Sequence, residues 1–302
     1  MLTRISVSVP ATATNLGSGF DALGLALAIH NRFTAEESKN GLKIEIFGEG
    51  EDRLPRNRTN FVYQVMEKVF RRARKFPRGL TLRLENNIPI GKGLGSSASC
   101  VVGGLTLANA LVKAKLSQQE LLDLAVKIEG HPDNILPAFV GGFTVAVLEN
   151  GRLTFARHEL NHRFRAVIIV PDGQILTHTA RRVLPKTVPF KDAVFNLSRA
   201  ALTVSALTVP DLNLLDVSMQ DRLHEKYRRK LFPSISRYLE VVKNAGGKGS
   251  SVSGSGPTVI TFAEENRTAE RIAAKIRSEL RRLRLKGNVL VAPISRHGAN
   301  IS

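Results

Sequence analysis

Apolar and polar residues alternate over residues 5–9, with Ile5, Val7 and Val9 set against Ser6 and Ser8, the period of a strand that buries one face. Further β-rich runs occur at 42–47, 80–84, 143–148, 166–170, 258–262 and 288–292. Between them the period lengthens. Residues 60–74 read as a helix, and an apolar run to Val112 reads as another that starts after a glycine-rich loop. At 117–129 the helical face is Leu121, Leu122, Leu124, Ala125 and Ile128, and Ser117 with Glu120 fits a capping box. That helix should stop at Glu129-Gly130, and Pro132 predicts a turn or loop over 131–134. Helical segments over 192–207, 231–245 and 268–285 complete an α+β pattern. No internal repeat or low-complexity linker interrupts it. At 302 residues the chain exceeds one compact core, so two domains are expected, 1–150 and 151–302.

Composition narrows the class. Apolar residues make up 43% of the chain, a globular share. The longest apolar stretch, 100–112, is broken by Gly103, Gly104, Thr106 and Asn109, so no membrane span is expected. Residues 1–13 alternate and contain Arg4 and Pro10, which suits a first strand better than a signal peptide and places the protein in the cytoplasm. Cys100 is the single cysteine. It cannot form an intramolecular disulfide, and its apolar setting predicts a buried, inert thiol.

The charge is unusual: 44 Lys plus Arg against 26 Asp plus Glu, a net +18. Such an excess serves a polyanion or forms a solvated basic surface. Arg71, Arg72, Arg74 and Lys75 close one predicted helix, and Arg271, Lys275, Arg277, Arg281, Arg282 and Arg284 lie along another, which points to helix faces. With three Tyr, no Trp and no zinc-finger motif, a nucleic-acid-binding module is the rival reading and not the leading one. No His-Glu-x-x-His or Gly-x-Ser-x-Gly pattern occurs. His30, His158, His162, His224 and His297 therefore read as structural or solvated.

The strongest chemical signal is Pro89-Ile90-Gly91-Lys92-Gly93-Leu94-Gly95-Ser96-Ser97-Ala98-Ser99. Glycines let backbone N–H groups approach phosphate oxygens, and a helix N-terminus adds free donors and positive potential. The loop lacks the Gly-Lys-Ser/Thr end of a Walker A motif, and Ser at position 96 breaks the dinucleotide spacing. It instead resembles the second motif of the GHMP kinases, Pro-x-Gly-x-Gly-Leu-Gly-Ser-Ser-Ala. Two more motifs of that superfamily stand in order: Pro10-Ala11-Thr12-Ala13-Thr14-Asn15-Leu16-Gly17-Ser18-Gly19-Phe20-Asp21, and Ser253-Gly254-Ser255-Gly256-Pro257-Thr258. Within the superfamily, Glu129-Gly130-His131-Pro132-Asp133-Asn134, then Pro137 and Gly141-Gly142-Phe143, resembles the homoserine kinases, chiefly through Asn134.

That resemblance implies a ribosomal S5 domain 2-like N-terminal domain with a left-handed βαβ unit and a ferredoxin-like C-terminal domain, with ATP and substrate between them. It implies ATP-dependent phosphorylation of the L-homoserine side-chain hydroxyl, a step of threonine biosynthesis, by a homodimer. The ATP site would comprise residues 89–99 (Pro89, Ile90, Gly91, Lys92, Gly93, Leu94, Gly95, Ser96, Ser97, Ala98, Ser99). Asn60 would lie near the adenine, although a helix cap explains an Asn there almost as well. Ser97 and Glu129 would hold Mg²⁺ through hard oxygen ligands. Related kinases carry a carboxylate where this chain has Asn134. An amide cannot take a proton at neutral pH, but it can orient a hydroxyl, and positioning is worth up to about 7–11 kcal/mol. Asn15, Asp21, Arg181 and Arg228 match substrate-binding positions, with Thr177 and His131 beside them. Each arginine has an arginine neighbour, Arg182 and Arg229, and the sequence leaves open which of each pair turns inward. Another small alcohol, shikimate or an isoprenoid precursor, is the alternative substrate.

Overall fold

The computed structural model describes residues 3–161 and 163–302. The first two residues of the opening stretch, and His162, lie outside the described residues. The chain begins with two long strands, β1 (Arg4–Thr14) and β2 (Leu23–Ser38), followed by β3 (Gly41–Gly48), α1 (Phe61–Ala73) and β4 (Gly79–Asn86). Three helices follow, α2 (Ser96–Leu111), α3 (Gln118–Glu129) and α4 (Pro132–Val140), and then the hairpin β5 (Phe143–Glu149) and β6 (Arg152–His158). β1 and β2 pair antiparallel, with a register shift at Pro10/Ala11, where a residue without an N–H is tolerated. β3 and β4 are parallel, joined by α1, giving a β–α–β crossover at one edge of the first sheet.

The second half opens with β7 (Arg165–Pro171) and continues through α5 (Thr177–Arg182), α6 (Phe190–Thr208), α7 (Leu215–Ser218), α8 (Glu225–Arg228), α9 (Ile235–Ala245), β8 (Lys248–Val252) and β9 (Val259–Ala263). It closes with α10 (Asn266–Arg282), β10 (Gly287–Pro293) and β11 (Asn300–Ile301). The second sheet runs β10-β7-β9-β8 with every pair antiparallel. Numbered within the sheet this is the 4-1-3-2 order of a ferredoxin-like βαββαβ unit. The expected boundary near 150 falls inside the β5–β6 hairpin of the first sheet. That sheet also takes back β11, which pairs with β1.

Burial explains the helices. α1 hides Val62, Val65, Met66, Val69 and Phe70, spaced for one face, and Asn60 caps it by accepting from the amides of Val62 and Tyr63. The predicted capping box of Ser117 and Glu120 is present at the start of α3. The loop predicted over 131–134 is instead the first turn of α4. Pro132 occupies its first helical position, where no N–H is needed and the fixed φ helps. The helix predicted from residue 231 begins at Ile235, because Pro233 bars the residue before it from helical geometry. β2 escaped prediction because its 23–27 stretch is buried throughout and does not alternate. The basic residues of α10 named above are exposed, as are Arg71, Arg72, Arg74 and Lys75.

α2 carries the site-forming loop, and two glycines set its position. A side chain on Gly103 would put its first carbon 2.2 Å from the Phe33 ring on β2, and one on Gly104 would come within 2.9 Å of Val65 on α1. Each glycine weakens the helix by roughly 1 kcal/mol against alanine, but together they let α2 lie flat between the sheet and α1. Gly103→Ala should therefore destabilise the fold by about 1–3 kcal/mol through overpacking, despite its gain in helix propensity. Thermal unfolding checks this: Tm should fall by several degrees, at ~2–4 °C per kcal/mol, and an unchanged or raised Tm would mean that Phe33 relaxes freely.

Candidate active site

Three loops meet between the two sheets. The turn after β1 holds Asn15, Leu16 and Asp21 in the left-handed region, at φ 69°, 45° and 56°. Asn15 supports it by accepting from the Asp21 amide at 3.0 Å, and its own amide donates to the Gly254 carbonyl at 3.1 Å. The loop before α2 packs on the same segment: Ser253 Oγ donates to the Gly93 carbonyl at 2.7 Å. At Gly93, φ is 79° and a first side-chain carbon would lie 2.2 Å from the Ser253 carbonyl oxygen, so only glycine fits. Lys92 faces away from the cavity. Its ammonium donates to the carbonyls of Pro171, at 2.7 Å, and Gly173, tying the loop to the second half.

The N-terminus of α2 opens into the cavity these loops enclose. Gly95 is its cap residue and no side chain caps it, so the amides of its first turn are free to meet an anion, with the helix dipole in support. Pro89, Gly91, Gly93, Gly95, Ser96 and Ser97 line this polar cavity. Ile90 lines an adjoining apolar one with Leu54, Pro55, Phe61, Val62 and Cys100. Leu94 and Ala98 are buried in the core, and Ser99 is held by Asn31 and the Ser96 carbonyl, so these three and Lys92 lie outside both cavities. Asn60 lines the apolar cavity while it caps α1, so both expectations for it describe its position. Cys100 is half-buried there, and burial pushes its thiol up to about 12, leaving it protonated.

Ser97 Oγ donates to Glu129 Oε2 at 2.9 Å, which brings two hard oxygens together at the mouth of the anion cradle. Among the described residues no group of three or more His, Cys, Asp or Glu could hold a metal by itself. Two oxygens beside a phosphate cradle suit Mg²⁺, which keeps water and takes phosphate oxygens for its remaining positions.

Opposite the cradle is a paired set of charges. Arg181 grips Asp21 with a two-bonded fork, at 2.9 and 3.0 Å. Arg228 is buried and donates to the Gly254 carbonyl at 2.5 Å. Both guanidinium groups lie over the Phe20 ring, at 5.9 and 5.1 Å. Their neighbours do not compete: Arg182 is exposed, and Arg229 turns to Glu225 at 3.0 Å. Arg228 is aimed by the short α8, whose start is fixed by the Asp221 carboxylate accepting from the amides of Leu223, His224 and Glu225. Thr177, at the start of α5, completes this wall.

Asn134 stands between the two walls. Its Oδ1 accepts from Thr12 Oγ1 at 2.7 Å and its Nδ2 donates to Thr14 Oγ1 at 3.4 Å, so β1 fixes which way the amide faces. Asp133, also buried, accepts from the Asn134 amide at 3.0 Å and meets His131 Nδ1 at 2.5 Å. Burial would lower the His131 pKa, but the Asp133 hydrogen bond and charge outweigh it and raise it. Burial likewise works to raise Asp133, yet its bond to His131 holds it below the usual carboxylate range. Each group thus favours the charged form of the other. Sequence reasoning missed Asp133, Thr12 and Thr14 as contributors, although all three stand inside the quoted motifs. It also missed the apolar cavity, whose residues carry no shared pattern.

Comparisons with known proteins agree with this geometry. The profile described as GHMP kinases N terminal domain matches residues 60–142, and that described as GHMP kinases C terminal matches residues 203–282. The chain is 39% identical to homoserine kinase of Caldicellulosiruptor saccharolyticus, over 98% of this chain and 96% of that protein. It is 40% identical to homoserine kinase of Carboxydothermus hydrogenoformans, over 88% of each. Its fold matches the crystal structure of homoserine kinase from Cytophaga hutchinsonii with a TM-score of 0.87 at 28% identity, covering 99% of this chain and 97% of that one. The shared motifs, their convergence in one cavity and the near full-length similarity together mean that this chain belongs to the homoserine kinase family of the GHMP kinases.

Proposed function

We propose that this chain transfers the terminal phosphoryl group of ATP to the side-chain hydroxyl of L-homoserine, giving ADP and O-phospho-L-homoserine for threonine biosynthesis. The observation that carries this reading is a single cavity with an uncapped helix N-terminus on one wall, a paired Arg and Asp cradle on the other, and Asn134 between them. The names of the relatives support the same substrate.

In this reading the adenine enters the apolar cavity and the phosphates meet the Gly91–Ser97 amides. Ser97 and Glu129 would hold Mg²⁺, which neutralises charge on the phosphate oxygens when bound. The substrate α-carboxylate meets Arg228 and Arg181, and its α-ammonium meets the Asp21 carboxylate and Asn15 Oδ1. Asn134 orients the hydroxyl, since its amide is already aligned by Thr12 and Thr14. No carboxylate stands at that position. Asp133 is a poor base, being buried and paired with His131. The hydroxyl oxygen forms its bond to phosphorus as the bond to the ADP oxygen breaks, and the proton leaves late, to the transferred phosphate.

Incubation with Mg²⁺-ATP and L-homoserine, shikimate, mevalonate or galactose tests the reaction. Homoserine-dependent ADP release with O-phosphohomoserine identified by mass is expected; turnover of another alcohol alone would overturn the substrate. Asn134→Asp keeps the size and adds a third carboxylate beside Asp133 and Glu129. It should lower turnover about 10- to 100-fold through misplacement while Tm stays nearly constant, and turnover unchanged within twofold would remove Asn134 from its orienting role. Arg181→Lys retains charge but loses the fork, so the homoserine KM should rise about 10-fold or more, the worth of a charged hydrogen bond. Arg182→Lys is the control on the exposed neighbour, and equal effects from both would refute the assignment.

A further inference from the structure

His224 is buried without measurable exposure, and the reaction outlined above gives it no task. Its Nε2 lies 2.8 Å from the Gly17 carbonyl oxygen, and its Nδ1 lies 3.2 Å from Nη1 of Arg228. A carbonyl oxygen only accepts and a guanidinium only donates. Both contacts are satisfied together only by a neutral ring with its hydrogen on Nε2 and a lone pair on Nδ1. The Asp221 carboxylate, 3.6 Å from Nε2, favours the same tautomer. Burial pushes His224 down to about 4, so the ring is uncharged at neutral pH. Phe20 stacks on it, with ring centroids 5.0 Å apart and planes at 28°.

The consequence lies at Arg228. Its Nη1 is tethered twice, to His224 Nδ1 and to the Gly254 carbonyl. Its Nε is buried and has no partner among the described residues. A guanidinium held twice through Nη1 cannot swing, so the part of Arg228 that lines the cavity stays aimed at one place, where its charge can meet a carboxylate. We propose that His224 is a positioning residue: it joins the Gly17 turn to Arg228, holds that guanidinium toward the substrate α-carboxylate, and so sets homoserine affinity without touching substrate. The inference rests on the homoserine kinase reading and deepens it.

Two amide substitutions separate the bonds of the ring. His224→Asn can place a carbonyl oxygen where Nδ1 stood, keeping the acceptor for Arg228 and giving up the bond to Gly17. His224→Gln can place an N–H where Nε2 stood, keeping the bond to Gly17 and giving up the acceptor. The homoserine KM should rise about tenfold or more for His224→Gln and less than about threefold for His224→Asn. The ATP KM and the turnover at saturating homoserine should move less than the homoserine KM in both. Equal losses in the two variants, or losses shared with the ATP KM, would reduce His224 to a packing residue and overturn the inference. Failure of the unmodified chain to phosphorylate homoserine would instead overturn the proposed reaction, before any variant is compared. Should neither variant fold, ¹⁵N spectra of the imidazole in the unmodified chain decide. A pyridine-type Nδ1 with a protonated Nε2 at neutral pH is expected, and an Nδ1–H tautomer or an imidazolium would overturn it.

Discussion

The site depends on how closely three backbone segments approach one another. The carbonyl of Ser253 sits where a side chain on Gly93 would be, and the carbonyl of Met219 sits 1.7 Å from the first carbon that any other residue would place at Gly17. Such contacts exclude every side chain and leave the peptide groups to bond directly, as the Gly254 amide does with the Thr14 carbonyl and the Thr258 amide with the Lys92 carbonyl. The turn after β1 and the loop before α2 belong to the first half of the chain, and the 253–256 segment to the second. The glycines thus join the two sheets at the point where the cavity forms, and a loose joint there would move the anion cradle relative to the arginine wall. Positioning chemistry is sensitive to displacements of that kind.

Electrostatics follows from the same closure. Burying Asp133, Arg228 and the Asp221 carboxylate, and half-burying Asp21, would be costly if each stood alone. Each has a partner: Asp21 has Arg181, Asp133 has His131, Arg228 has the Gly254 carbonyl, and Asp221 has the amides that begin α8. With Asp133 and Glu129 on one side and phosphates expected on the other, an uncharged amide at 134 adds no further negative charge. Lys92, by its motif a candidate for phosphate, spends its charge on two carbonyls of the second half, so the cradle draws its positive potential from α2 itself.

Much of this was legible in the chain because it is local. Alternation located most strands, and Asn60 and Ser117 marked the starts of α1 and α3 because caps act within three residues. The three motifs located the loops, and their resemblance to the homoserine kinases supplied Asn134, Arg181 and Arg228. Local rules failed where burial or position overrode them. β2 lost its alternation because its first residues are covered on both sides, and the turn expected at Pro132 became a helix start because proline is at home in the first helical position.

What the sequence by itself determined is the set of groups: the glycines that permit close approach, the cap residues, an amide in place of a carboxylate, and an excess of basic side chains on helix faces. What only the tertiary structure decided is which groups meet. Arg181 and Arg182 are indistinguishable as neighbours in a sequence, and only the packing of α5 turns one to Asp21 and leaves the other in solvent. His224 looked structural because nothing nearby in the chain calls for an imidazole; its partner Gly17 is 207 residues away. Hydrogen bonds of that span are set by how the two sheets dock. Docking is the sum of many buried apolar contacts, and no short stretch of sequence records it.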